Sequence, residues 1–296
     1  MIHNLPQTPA FKDERPDSGI SEIALRVIQE FDGWNLYVLG TATLIAGYLA
    51  ITARHMIESV FQKFGRKQHG DKNFGIDACA IRLYQVLPGP EYRVWDVRSA
   101  WVCPTTDIAI LHLAKWRTTR PEETIDWKGP PLRALPPPIG QKVIAFGYRE
   151  SKVSVTEDSQ GTHHIELNDR PTVSIGEIKQ IYPSGRDRAV LPFPCYEIEA
   201  RFDPGMSGGM VIDENGALCG LICASLQTCD PTAPPISYVA SLWPMLTTLI
   251  SANREDRYPK DVTYPMIDLA RNGLISVVDI EHLNFPPFDA PYDSQV

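Results

Sequence analysis

At 296 residues the chain suffices for one large domain or two modest ones, and 43% hydrophobic with 22% charged residues is the balance of a soluble globular protein. A formal net charge of −8 leaves no basic stripe for phosphate backbones, which excludes a nucleic-acid partner. The longest apolar stretch, 36–53, is interrupted by Gly, Thr and Tyr and reads as a hairpin, so neither a membrane span nor a membrane partner is expected.

The first eighteen residues are polar and rich in Pro, Asp and Lys, with no apolar h-region, and read as an arm; residues 1–20 are set apart as such. Without a secretory leader the expected address is the cytoplasm. The six cysteines (79, 103, 195, 219, 223, 229) are then expected as reduced thiols that pack as small hydrophobes. Ser21–Phe31 carries Ile23, Val27 and Phe31 at helical spacing, and a short helix is predicted there.

From residue 34 the pattern turns to strands, at 36–39, 43–47, 49–52, 78–87, 92–97 and 108–113. Between the third and fourth, Ile57, Val60, Phe61 and Phe64 recur at i, i+3, i+4, i+7, the face of a brief helix directly after His55. Six short strands separated by turns fit a barrel over about 34–115. Residues 116–138 are rich in proline, which removes donors and resists both helix and central strand, and form the connector.

A second strand series follows at 142–148, 153–157, 163–167, 173–181, 195–200, 210–213 and 217–224, with Asn215-Gly216 as a hairpin turn. This gives a second barrel over 139–236. Val239, Leu242, Met245, Leu246 and Leu249 then predict a helix over 238–252. The fold expected is all-β: two antiparallel barrels, a C-terminal helix and short terminal extensions. In the extension 253–296, Pro265–Leu274 suits a helix with Pro in its first turn, and Ile275–Ile280 suits strand or helix. The extension reads as a strap over the barrels or as a partner-binding or self-inhibitory segment.

Three stretches carry chemistry. Asp203-Pro204-Gly205-Met206-Ser207-Gly208-Gly209 lies between two apolar runs, so it reads as a tight loop joining strands. Glycines at −2, +1 and +2 of the serine keep side chains away from its hydroxyl and let N–H groups converge beside it, as oxyanion stabilisation requires. Glycine and serine also build ordinary flexible turns. Upstream, an apolar hairpin ends in His55, and Asp107 opens the buried-type strand Ile108-Ala109-Ile110-Leu111. Alone, each has a bland structural reading; the order His55, Asp107, Ser207, each in its own local setting, is the signal.

On these residues the chain resembles the trypsin/chymotrypsin clan of serine peptidases over roughly 35–250. Its Pro-Gly-x-Ser-Gly-Gly form is most similar to the bacterial high-temperature-requirement (Deg) proteases, although a PDZ-like domain is not expected in the 44 residues of 253–296. The resemblance implies a cleft between the barrels in which Ser207 attacks a carbonyl, His55 moves the proton and Asp107 orients the imidazole. It implies N–H groups of Gly205 and Ser207 as the oxyanion hole, and no metal or cofactor. Arg201 would lie near the base of the primary pocket, with Cys223, Ala224 and Ser225 along its wall. An inward Arg201 would favour an acidic side chain before the scissile bond; an outward one leaves a small apolar pocket.

Several departures matter. Arg54 replaces the small residue usual before the histidine, and either faces out or pairs with a local acid. The Cys that secreted members carry beside that histidine is Met56 here. Met206 replaces the Asp that pairs with a new N-terminus in digestive members, so activation by N-terminal insertion is excluded, and the loop 201–206 or the C-terminal segment is the candidate switch. Cys195, Cys219, Cys223 and Cys229 lack a C-x₂-C pair and suit core better than zinc. His163 and His164 point to opposite faces of a strand, and His112 reads as a core or rim residue. The function expected is a serine endopeptidase acting on a protein or peptide substrate, with an activating or regulatory protein as a further partner. The alternatives are a catalytically suppressed scaffold and a bacterial stress or defence effector that cleaves one partner.

Overall fold

The computed structural model describes residues 12–13, 19–31, 35–64, 67–69, 73–75, 81–87, 91–119, 129–226, 234–251 and 263–283. The sequence readings on most of the N-terminal arm, on 120–128 of the connector, on Cys79 and Cys229, and on the last residues of the chain fall outside this set. Two residues of the arm form strand β1 (Lys12–Asp13), and Gly19–Glu22 makes a 3₁₀ turn. The first barrel follows as β2 (Ala24–Phe31), β3 (Asn35–Ala46) and β4 (Leu49–Ala53), then helix α1 (Arg54–Phe64) and a small hairpin, β5 (Lys67–His69) and β6 (Asn73–Gly75). It finishes with β7 (Ile81–Val86), β8 (Tyr92–Val102) and β9 (Ile108–Thr118). The closed order is β2-β3-β4-β9-β8-β7.

The helix expected over 21–31 is therefore a strand, which completes the barrel. Ala24 through Gln29 are all buried, because β2 lies between β3 and β7 with both faces covered. Apolar residues on both faces conceal the two-residue period, and the every-fourth residues Ile23, Val27 and Phe31 then mimic a helix. The separately expected strands at 36–39 and 43–47 are one strand, β3. After His55 the expected helix forms, and Met56, Ile57, Val60 and Phe61 enter the barrel interior beside Leu44, Trp95 and Leu111.

Beyond the connector come β10 (Lys142–Glu157), β11 (His163–Tyr182), β12 (Cys195–Ile198), β13 (Met210–Asp213), β14 (Leu218–Leu226) and β15 (Ile236–Ser241). They lie in the order β11-β10-β13-β14-β15-β12, and pairing of β12 with β11 joins the two ends so that the sheet curls round on itself; β1 adds to β11. Four of the expected strands are the two arms of one long hairpin, β10 and β11, with a register shift between Arg149 and Lys152. Asn215-Gly216 turns as expected: Gly216 has φ +80°, and Asp213 accepts N–H bonds from Asn215 (2.9 Å) and Ala217 (3.0 Å). Val143, Ile178, Tyr196, Met206, Val211 and Val239 fill the interior.

The helix expected over 238–252 is also corrected. Residues 236–241 are β15, held by β12 on one side and β14 on the other, and Trp243–Thr247 is a 3₁₀ turn with Pro244 at its start. A buried central strand again shows no alternation, and Pro244 would interrupt a helix at that point. The chain continues as β16 (Leu249–Ile250), β17 (Tyr264–Pro265) and helix α2 (Ile267–Arg271), within the helical span expected from Pro265. Tyr264, Met266, Ile267, Leu269 and Ile275 join a core shared by both barrels and the connector residues Leu132 and Ala134. Asp279 accepts the backbone N–H groups of Ala134 and Leu135, both at 2.8 Å. The described part of the extension, residues 263–283, is docked on this core, and no helix among the described residues is long and apolar enough to cross a membrane.

Candidate active site

His55 is the second residue of α1, which starts where β4 ends, and Asp107 sits immediately before β9, the strand that pairs with β4. That pairing places Ala53 opposite Ile108, so the residues just beyond each are neighbours. Asp107 uses both oxygens on His55: Oδ2 lies 2.8 Å from the ring Nδ1, and Oδ1 accepts the backbone N–H at 3.0 Å. The backbone N–H of Arg54 also donates to the Asp107 carbonyl, at 3.1 Å. The carboxylate is mostly buried and the ring half-exposed, so one imidazole edge is fixed while the other faces outward. Burial of the ring lowers its pKa, but the hydrogen bond and charge of Asp107, with the charge of Glu58, outweigh this and hold it above the ordinary histidine value.

Arg54 pairs with a local acid, one of its two expected readings, and takes a further part that its sequence position did not reveal. It pairs with Glu58 one helical turn on, Nε to Oε1 at 2.9 Å, and its Nη1 donates to the carbonyls of Cys103 (3.1 Å) and Pro104 (3.0 Å). The residue before His55 therefore secures the segment that leads to Asp107. No sequence signal marks this, since both acceptors are main-chain atoms.

Ser207 comes from the second sheet, in the loop between β12 and β13. Gly208, at φ +75°, explains how the loop reaches the first barrel. A Cβ there would fall inside van der Waals contact of Thr41 O and Thr52 Oγ1 and 2.8 Å from Ala53 N, two residues before His55. Gly208 N–H donates to Ile222 O at 2.8 Å, and Ser207 O accepts from Thr41 N–H at 2.9 Å. Among the described residues, Ser207 Oγ makes no hydrogen bond to the His55 ring, and no protein acceptor takes the N–H groups of Gly205 or Ser207. The acid–imidazole half is formed; the serine is brought to the same seam with its hydroxyl and flanking donors uncommitted.

Met206 is fully buried in the interior of the second sheet, against Gly147, and its sulfur lies 3.5 Å from Asp203 N. Apolar packing, worth about 1.5–3 kcal/mol for a side chain of this size, anchors the loop at this position. Arg201 is exposed and its Nε bonds Asp203 Oδ1 at 2.8 Å, which directs its charge to its own loop, while the next residue, Phe202, fills the interior. Cys223 is buried with its thiol donating to Tyr238 O at 3.2 Å, Ala224 is half-buried, and Ser225 is exposed beside Ser237 at 3.3 Å.

The described cysteines are free and buried. Burial pushes the thiols of Cys103 and Cys219 up to about 12 and that of Cys195 to about 11, and also raises that of Cys223 well above its ordinary value, which makes them poor nucleophiles at neutral pH. Among the described residues no three His, Cys, Asp or Glu side chains gather as metal ligands. His112 packs edge-on to Tyr48 at 6.1 Å with burial lowering its pKa, and His164 is exposed beside Asp158.

Comparison with solved structures finds likeness at low identity. The Rv3671c protease from M. tuberculosis, active form, is 17% identical over 81% of this chain and 89% of that one, with TM-score 0.42. The MamO protease domain from Magnetospirillum magneticum, apo form, is 15% identical over 74% and 92%, with TM-score 0.42. Neuropsin, a serine protease expressed in the limbic system of mouse brain, is 15% identical over 79% and 94%, with TM-score 0.47. No curated protein matches the chain in sequence. Residues 40–221, which contain His55, Asp107 and Ser207, match the trypsin-like peptidase domain, and with more than half of its length in that match the chain belongs to this family.

Proposed function

We propose that the protein is a serine endopeptidase that hydrolyses peptide bonds through an acyl-enzyme on Ser207. The observation that carries this reading is the two-pronged contact of Asp107 with His55, which fixes the imidazole with Nδ1 protonated and leaves Nε2 as the base. His55 takes the Ser207 proton as the hydroxyl attacks, and returns it to the leaving amine. The negative charge on the former carbonyl oxygen is met by the N–H groups of Gly205 and Ser207, each such donor contributing about 2.7–4 kcal/mol in related chemistry. Apo contacts between nucleophile and base are commonly loose and tighten with substrate, which accommodates the unmade bond between Ser207 and His55.

β14 runs on past β13, so Ala224 and Ser225 have a strand partner on the β15 side only among the described strands, just after a register shift at Cys223. That open edge suits the main chain of a bound peptide, which would enter as an added strand. The Pro204-Gly205-Met206-Ser207-Gly208-Gly209 sequence supports a kinship with the Deg-type proteases. Cys223, Ala224 and Ser225 are the proposed wall of its primary pocket, with Arg201 turned outward onto Asp203 at its edge, and the cytoplasm is its proposed site of action, where a regulatory protein or a single partner substrate would meet it.

The competing reading is a peptide-binding scaffold with catalysis suppressed, and the unmade hydrogen bond from Ser207 is what favours it. Covalent labelling decides between them. A fluorescent fluorophosphonate should label the purified protein and fail on Ser207→Ala, whose thermal midpoint stays unchanged. Absence of labelling, alone and with cell extract added, would leave the scaffold.

A further inference from the structure

We infer that Thr41, on the first barrel, is a positioning residue whose hydroxyl sets the Gly205–Ser207 loop of the second sheet for oxyanion binding. The inference rests on the peptidase reading and deepens it.

Thr41 is fully buried on β3, opposite Arg26 of β2. Its hydroxyl donates to the Gly205 carbonyl at 3.0 Å and accepts the Tyr148 N–H at 3.0 Å. Its N–H donates to the Ser207 carbonyl at 2.9 Å, and its own carbonyl takes the Thr52 hydroxyl at 2.7 Å. One residue of the first barrel thus holds the carbonyls on both sides of Met206, and these belong to the stretch whose N–H groups are to face the oxyanion.

The hydroxyl leaves little freedom. It has a single proton, and the Tyr148 N–H already points at its oxygen, so that proton is directed to Gly205. Tyr148 is itself immobilised: it is fully buried, packs edge-on to Phe146 with ring centres 5.3 Å apart, and carries the Arg26 guanidinium 3.9 Å from its ring centre. Arg26 is paired in turn with Asp169 of β11, Nη2 to Oδ1 at 3.0 Å. The threonine oxygen therefore bridges a fixed point of the long hairpin and the carbonyl of the loop.

Gly205 needs such a tether. At φ +95° its backbone lies where glycine alone moves easily, and a Cβ would stand 2.5 Å from Tyr148 O, so no side chain is available to hold it. Without the hydroxyl, the Gly205 carbonyl loses its donor, and the peptide after Gly205 keeps the Met206 N–H bond to Asp203 O (3.1 Å) and the buried Met206 side chain as restraints on its Met206 end, with none on the carbonyl itself. Movement there shifts the Gly205 Cα, and with it the preceding peptide whose N–H must point to the same place as that of Ser207. Since oxyanion donors act on charge that develops in the transition state, the loss should fall on the chemical step and not on binding.

The test uses the full chain with Thr41→Val, which keeps the shape, Thr41→Cys, which keeps the size with a far weaker donor, and Thr41→Ser, which keeps the hydroxyl. Each is labelled with the fluorophosphonate over a concentration series to separate the maximal rate from the half-saturating concentration, with near-UV circular dichroism to establish the fold. The maximal rate should fall about 10- to 100-fold in the valine variant, the scale of donors displaced by about 1 Å, with half-saturation unchanged. The cysteine variant should fall likewise and serve in its place if valine does not fold, and serine should restore the wild-type rate. A folded valine or cysteine variant that labels at the wild-type rate overturns the inference, as does a loss shared equally by serine. A wild type that does not label at all removes the peptidase reading and this inference together.

Discussion

Replacing Asp107 by Asn tests the acid–imidazole pair most sharply, because the structure dictates how the amide must lie. The His55 backbone N–H, 3.0 Å from Oδ1, requires an acceptor there, so the amide oxygen takes that place and the NH₂ group faces the ring Nδ1. A donor at Nδ1 forces the imidazole proton onto Nε2, where it blocks the base. Losing a hydrogen bond to a charged carboxylate costs about 1.5–3 kcal/mol, or roughly 10- to 150-fold in rate. The same substitution in a Ser-His-Asp enzyme lowers kcat about 10⁴-fold, near 5.4 kcal/mol, so the inverted tautomer accounts for about 2–4 kcal/mol beyond the lost bond. Asp107→Asn should therefore slow fluorophosphonate labelling by about 10³- to 10⁴-fold at pH 8 while the fold is kept.

The pH profile supplies a second readout. His55 titrates above its ordinary value through Asp107, so wild-type labelling should fall as the pH drops through a point above 6.5, as the base becomes protonated. In the variant the charge is gone and the residual acid limb should move to lower pH. Stability runs the other way: a histidine pKa raised by folding stabilises below the unfolded value, and the effect is lost as pH rises through the folded one. A folded variant that labels within about tenfold of wild type, or an acid limb that does not move, would refute the assignment of Asp107 as the group behind the ring.

Gly208→Ala should disrupt the seam between the barrels, since a Cβ would meet main-chain atoms of Thr41 and Ala53 that cannot swing aside. The left-handed φ alone costs about 1–2 kcal/mol, and with the clash a loss above about 3 kcal/mol is expected in thermal or urea unfolding. An unchanged midpoint would mean that the serine loop does not approach β3 and β4 this closely. Asp279→Ala should strand the N–H groups of Ala134 and Leu135, at about 1–3 kcal/mol for each group, and lower the thermal midpoint by several degrees. Labelling of Ser207 at low temperature should survive that change, because Asp279 joins the strap to the connector and not to the site.

The sequence by itself determined the residues of the candidate site and the broad class of fold. The chemistry demands particular side chains in particular local settings: a serine freed by glycines, a histidine where a strand becomes a helix, an aspartate opening a buried strand. Each setting spans a few residues and is legible one stretch at a time. Only the tertiary structure decided that 24–31 and 236–241 are strands, because a segment covered on both faces has no polar side to reveal its period. It alone decided the tethers as well. Thr41 meets Gly205 across 164 residues of sequence, and Arg54 reaches the carbonyl of Cys103 across 49. A buried threonine in a strand reads as β-propensity, and a hydroxyl acquires its meaning from whichever carbonyl folding brings opposite it.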